Sequence, residues 1–104
     1  MNIGLDFDDT YTRDPGMWDI IIPQMQARGH TVYCVTGRTP EESRNVLVTL
    51  GKVVGEDHCY FTSRQSKKNY MQLKGIRIDV WIDDNPVLIN TGIDTELNNG
   101  KIYL

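Results

Sequence analysis

Along the chain, short apolar runs rich in β-branched residues alternate with longer segments whose apolar positions recur every three to four residues. The pattern predicts strands near residues 2–7, 31–36, 58–62 and 78–83, and helices near 15–28, 40–50 and 66–74. Such alternation implies an α/β fold with a mainly parallel sheet. Trp18, Ile21, Ile22 and Met25 mark one buried face of the first helix, in which Pro23 is expected to start or kink the chain. Thr39-Pro40-Glu41-Glu42 carries a capping hydroxyl, a first-position proline and a third-position glutamate, a strong helix start. Thr36-Gly37-Arg38 therefore becomes a strand-to-helix loop. Gly75 is expected to close the third helix and Pro86 to open a short one. Asn98-Asn99-Gly100 reads as a turn and Ile102-Tyr103-Leu104 as a last edge strand.

A length of 104 residues fits a single domain over 1–104, with no room for a second, substrate-covering one. Apolar residues at 39% and charged residues at 24% are ordinary for a soluble globular chain. A net charge of −3 argues against coating nucleic acid by charge alone. No stretch approaches the roughly 18 apolar residues of a membrane span, and a first strand beginning at Asn2 leaves no space for a signal peptide. A cytoplasmic location with no membrane partner is the expectation. Cys34 and Cys59 fall in strand interiors, where they read as small buried hydrophobes, and with His30 and His58 they show no zinc-ligand spacing.

Charge at two strand ends changes this plain picture. Ile3-Gly4-Leu5 runs into Asp6-Phe7-Asp8-Asp9-Thr10, and Val80-Trp81-Ile82 runs into Asp83-Asp84. If these strands are neighbours, up to five carboxylates crowd one sheet edge, which is unfavourable without a cation among them. Mg²⁺ takes oxygen ligands and commonly bridges to phosphate, so the cluster points to phosphoryl chemistry. Any one of these acids alone would read as a helix cap or a solvated turn. As a set, with Thr36 also at a strand end, they lie where ligands bind parallel sheets.

In these residues the chain resembles the haloacid-dehalogenase-like (HAD) phosphohydrolase superfamily. Asp6, Asp8 and Thr10 match its DxDxT motif, and Val32-Tyr33-Cys34-Val35-Thr36 its apolar strand ending in Ser or Thr, followed by Gly37-Arg38. Lys67 or Lys68 matches its helix-start lysine, and Trp81-Ile82-Asp83-Asp84 its strand ending in paired acids. The resemblance implies a three-layer Rossmann-like (HAD-like) fold and a Mg²⁺-dependent phosphatase. Asp6 would be the nucleophile, forming an aspartyl-phosphate, and Asp8 the general acid and then base. Opposite protonation is needed, with Asp6 ionised and Asp8 carrying a proton. The implied metal ligands are Asp6, the backbone of Asp8, Asp84 and, directly or through water, Asp83. Thr36 and the Gly37 loop would bind phosphate, Arg38 and Lys68 would assist at the substrate, and Lys67 is preferred as the motif lysine. Arg38 equally suits a surface ion pair with Glu41 or Glu42.

Asp9 stands where the family commonly has glycine, and no insertion is long enough for a cap domain. An open site suits a large phosphoester, such as a nucleotide or a polynucleotide end, or cover by a neighbouring subunit of a homo-oligomer. Arg64, Lys67, Lys68, Lys74 and Arg77 form a stretch without acids that would suit a nucleic-acid backbone or simply a solvated helix face. Tyr11 and Trp18 would stack on a base or pack in the core. Two other readings stand beside the phosphatase: a receiver-like domain storing an aspartyl-phosphate, and a non-catalytic phosphate-binding module.

Overall fold

The computed structural model describes residues 1–91. Four strands, β1 (Asn2–Leu5), β2 (Thr31–Thr36), β3 (Cys59–Phe61) and β4 (Val80–Ile82), form one all-parallel sheet in the order β3-β2-β1-β4. Among the described residues five α-helices accompany them: α1 (Pro15–Ala27), α2 (Arg44–Leu47), α3 (Leu50–Val54), α4 (Lys67–Leu73) and α5 (Val87–Asn90). The arrangement is an α/β fold with a parallel sheet, as the alternating pattern predicts, and it is compatible with a Rossmann-like fold. The turn and edge strand expected at 98–104 lie outside the described residues. No helix among the described residues is long and apolar enough to cross a membrane.

Chain order reverses beside β1. β2 and β3 extend the sheet to one side, then the chain crosses back to place β4 on the other side of β1. This is the switch point at which open parallel sheets leave a crevice beyond their carboxyl ends. Leu5 pairs with Ile82, and the Asp6 N–H donates to the Ile82 carbonyl at 3.0 Å, so the two acidic strand ends are adjacent.

Strand alternation sorts side chains between the two faces. Ile3, Leu5, Val32 and Cys34 enter a core completed by Ile22 of α1, Val46 of α2, and Leu50 and Val54 of α3. Gly4 faces the other way and lies under the Trp81 indole. A Cβ built on Gly4 would sit 2.8 and 2.9 Å from two Trp81 ring carbons and 3.1 Å from Ile78. Gly4→Ala is therefore expected to destabilise the protein by about 1–3 kcal/mol through overpacking, read as a lower urea midpoint at unchanged slope.

Two helices depart from expectation. α1 runs on through Pro23 and neither starts nor ends there. The helix expected over 40–50 is divided into a 3₁₀ turn (Pro40–Glu42), α2 and α3. The predicted capping box does form: Glu42 Oε1 accepts from the Thr39 N–H at 2.9 Å. Thr49 breaks the run behind it. Its backbone leaves the helical region (φ −119°, ψ −93°) and its hydroxyl donates back to the Asn45 carbonyl, offering the chain an alternative to the helical ladder. Gly75 closes α4 as predicted, with φ +76° and the Ile76 N–H donating to the Met71 carbonyl at 3.0 Å.

Candidate active site

Lys67 joins the two strand ends. Ser66 caps α4 by accepting from the Asn69 N–H at 3.3 Å, and its hydroxyl donates to the Ile89 carbonyl at 2.9 Å, tying α4 to α5. The next residue, Lys67, turns inward and is 1% exposed. Its Nζ donates to Asp6 Oδ1 at 2.8 Å and to Asp83 Oδ2 at 2.6 Å. A cation in a first helical turn opposes the helix dipole, and here two buried carboxylates outweigh that penalty. Burial alone would lower the Lys67 pKa, but attraction to Asp6 and bonds to both acids raise it, so the ammonium stays charged. Lys68 faces elsewhere. It is exposed and lines a separate cavity of about 730 Å³ with Arg77, Met71 and Trp81.

Thr10 makes the second link. Its hydroxyl lies 3.3 Å from Asp6 Oδ2 and 3.1 Å from Asp84 Oδ1, and accepts the Asp84 N–H at 3.1 Å. The motif match includes Thr10 but assigns it no task, whereas the structure makes it the clasp between β1 and the turn after β4. Asp6, Asp83 and Asp84 each present an oxygen within 4.8 Å of the others. From protein groups alone, burial raises the Asp6 pKa to about 7 against the pull of Lys67, with Asp84 and Asp83 adding to the rise. Asp84 is lowered, chiefly by its contact with Asp6.

The Asp6 shift carries a pH signature. A carboxyl whose folded pKa lies near 7, against 3.8 for the free group, destabilises the fold above pH 7, and the cost disappears as pH falls from about 7 toward 4. A cation placed among these acids removes the same cost and competes with the proton. Mg²⁺ bound to these acids, as proposed below, would raise the melting temperature more at pH 8 than at pH 5.5, measured by thermal unfolding with and without chelator. An equal shift at both pH values would contradict the cluster's role.

Asp8 is held differently from expectation. Arg38 grips it in a two-point fork, Nε to Oδ2 at 2.9 Å and Nη2 to Oδ1 at 2.8 Å. The remaining Nη1 donates to the Glu42 carbonyl at 3.0 Å, and the guanidinium lies 5.0 Å from the Phe7 ring centre. Arg38 therefore pairs with Asp8, and it is Arg64 that reaches the Glu42 carboxylate, at 3.5 Å. Hydrogen bonds from Arg38 lower the Asp8 pKa. Within the protein alone the two acids are shifted in opposite directions: Asp6 is pushed toward a proton, and Asp8 is held toward its ionised form. The physical reason is burial at Asp6 and a charge-assisted fork at Asp8.

Thr36 ends β2 and is 1% exposed. Its hydroxyl accepts the Arg38 N–H at 3.2 Å, which leaves the hydroxyl proton to donate. Three backbone bonds zip the loop after β3 onto this one: Thr62 N–H to the Thr36 carbonyl, Arg64 N–H to that of Gly37, and Ser63 N–H to that of Arg38. The docking holds Ser63 and Arg64 at φ +53° and +64° and sets Arg64 on the rim of a pocket of about 230 Å³. That pocket gathers Asp6, Asp8, Thr36, Gly37, Arg38 and Lys67, together with Asp83 and Asp84. Arg64 appears in the sequence only as part of a basic stretch, and nothing local marks it as a rim residue. Tyr11 is buried against Phe7 and donates to Asp19 at 2.7 Å, so it is not free to stack on a ligand.

No family model, no curated protein and no solved structure matches this chain.

Proposed function

We propose that the protein is a Mg²⁺-dependent phosphomonoesterase of the HAD-like type, working through an aspartyl-phosphate at Asp6. One observation carries the reading. A buried carboxylate at a strand end is clasped by a buried lysine, with two further carboxylates from the neighbouring strand end within ligand spacing.

A divalent metal suits these residues because three close carboxylates face Lys67 as the one buried ammonium among the described residues, and their donors are all hard oxygens. Asp84 has the less committed oxygens, with only Oδ1 facing the Thr10 hydroxyl, while Asp6 meets Lys67 at Oδ1 and that same hydroxyl at Oδ2. Asp83 is already bonded to Lys67 and to the Asn85 N–H. When bound, the ion would neutralise charge on the transferring phosphoryl group.

The chain's own residues supply the rest. Thr36 donates its hydroxyl to a phosphate oxygen, and an arriving phosphate offers Arg38 a second acceptor suited to its fork. Arg38 then leaves Asp8, which becomes competent to carry a proton. Lys67 orients Asp6 and opposes the protonation that burial favours there. An Asp6 oxygen attacks phosphorus, the ester P–O bond breaks, and the leaving oxygen takes the Asp8 proton and departs as the alcohol. Water next attacks the phosphorus of the aspartyl-phosphate, giving its proton to Asp8, and the P–O bond to Asp6 breaks to release phosphate.

A panel of nucleotides, sugar phosphates and end-phosphorylated oligonucleotides tests the reading. Hydrolysis is expected with Mg²⁺ and not with chelator. Metal and phosphate binding without turnover of any ester would instead support a binding module, and label from acetyl phosphate retained for hours would support a receiver.

A further inference from the structure

Beside the acid pocket lies a second depression of about 390 Å³ that shares Asp9, Asp83 and Asp84 with it. Its far wall is apolar, made by Met17 and Trp18 in the first turns of α1 and by Ile82 at the end of β4. Three polar groups beside that wall are bonded within the protein. The Trp18 indole N–H donates to the Thr10 carbonyl at 3.2 Å, Arg13 Nε to the Asp9 carbonyl at 3.2 Å, and the Met17 N–H to Asp14 Oδ1 at 3.1 Å. Trp18 packs one part of its ring on the core, yet it also lines this depression, and Met17 leaves 40% of its surface exposed there.

We infer that this depression receives the leaving group of the phosphoester and selects one bearing a flat apolar ring, of the aryl or nucleobase kind, over a polyhydroxylated sugar. The inference rests on the phosphatase reading and adds a substrate class to it. An ester whose phosphorus sits at Asp6 must direct its leaving group out of the acid pocket, and the shared rim at Asp9, Asp83 and Asp84 opens onto this wall. A ring laid against Trp18 and Met17 gains burial and sulfur–aromatic contact. Sugar hydroxyls laid against Met17, Trp18 and Ile82 would lose water and gain no hydrogen bond from that wall, whose one indole N–H is already bonded to the Thr10 carbonyl.

The test compares ethyl phosphate with 2-phenylethyl phosphate. Both release primary alcohols of similar acidity, so a difference in kcat/KM reports contacts with the ring and not the ease of bond breaking. A preference for the phenylethyl ester of about tenfold or more is expected. Met17→Gln keeps a side chain compatible with the third helical position and is expected to reduce that preference to about threefold or less by making the wall polar. The ratio is independent of the fraction of enzyme that folds. A ratio within twofold in the natural protein, or one unchanged in Met17→Gln, would overturn the subsite while leaving the phosphatase intact. Failure to turn over either ester with Mg²⁺ present would remove both.

Discussion

Asp6→Asn is expected to abolish phosphate-ester hydrolysis, lowering kcat by on the order of 10⁴-fold or more, as loss of a covalent nucleophile does. An amide oxygen cannot form the acyl-phosphate, and the variant also removes one of the three clustered carboxylates. A second readout separates this loss from misfolding: the melting shift caused by Mg²⁺ should shrink, and the difference in that shift between pH 8 and pH 5.5 should vanish, because the titrating group is gone. Asp8→Asn should behave differently. It should cost about 10²–10⁴-fold, the usual range for an acid–base group, and should leave radiolabel on Asp6 when the ester has a good leaving group, since the second step then lacks its base. Full activity in Asp6→Asn would end the assignment, and equal behaviour of the two variants would end the division of roles.

Lys67→Met should have the largest effect on stability. The substitution preserves much of the volume of a side chain that is 1% exposed, but leaves Asp6 and Asp83 in a buried site without their cation. Breaking a buried pair in this way costs about 3–5 kcal/mol, a large part of the roughly 5–15 kcal/mol that holds a typical domain. Urea unfolding at pH 8 in chelator should show the loss as a reduced midpoint. Mg²⁺ should recover part of it by supplying positive charge to the same carboxylates, and lowering the pH toward 5.5 should recover part by protonating Asp6. Lys68→Met, on the exposed side of the same turn, should change stability by less than about 0.5 kcal/mol. A similar cost for the two variants would mean that the Lys67 pairs contribute nothing specific.

The two variants bear on different kinds of information. That Asp6 matters is legible from an apolar run stopping at DFDD, because a strand that ends in acids places them at a sheet edge whatever else the chain does. That Lys67 and not Lys68 turns inward is not legible in the same way. Adjacent residues in a first helical turn have nearly equal local preferences, and the choice rests on carboxylates just after β1 and just after β4, 61 and 16 residues away in the chain. Arg38 teaches the same lesson. Its sequence neighbourhood offers Glu41 and Glu42 as partners, yet it takes Asp8, 30 residues distant, because the parallel pairing of β1 with β2 sets their ends side by side.

Local chemistry in the sequence was sufficient to define the alternating elements, the capping box at Thr39, the stop at Gly75 and the acids, hydroxyl and lysines that terminate strands or open helices. These follow from side-chain period, backbone conformational limits and short-range hydrogen bonding, which act over a few residues. The clasp formed by Thr10, the placing of Arg64 on the rim and the opposite pKa shifts of Asp6 and Asp8 were decided only by the tertiary structure. Each depends on which distant groups share a buried volume, and electrostatic and hydrogen-bond energies are set by that proximity and desolvation rather than by order along the chain.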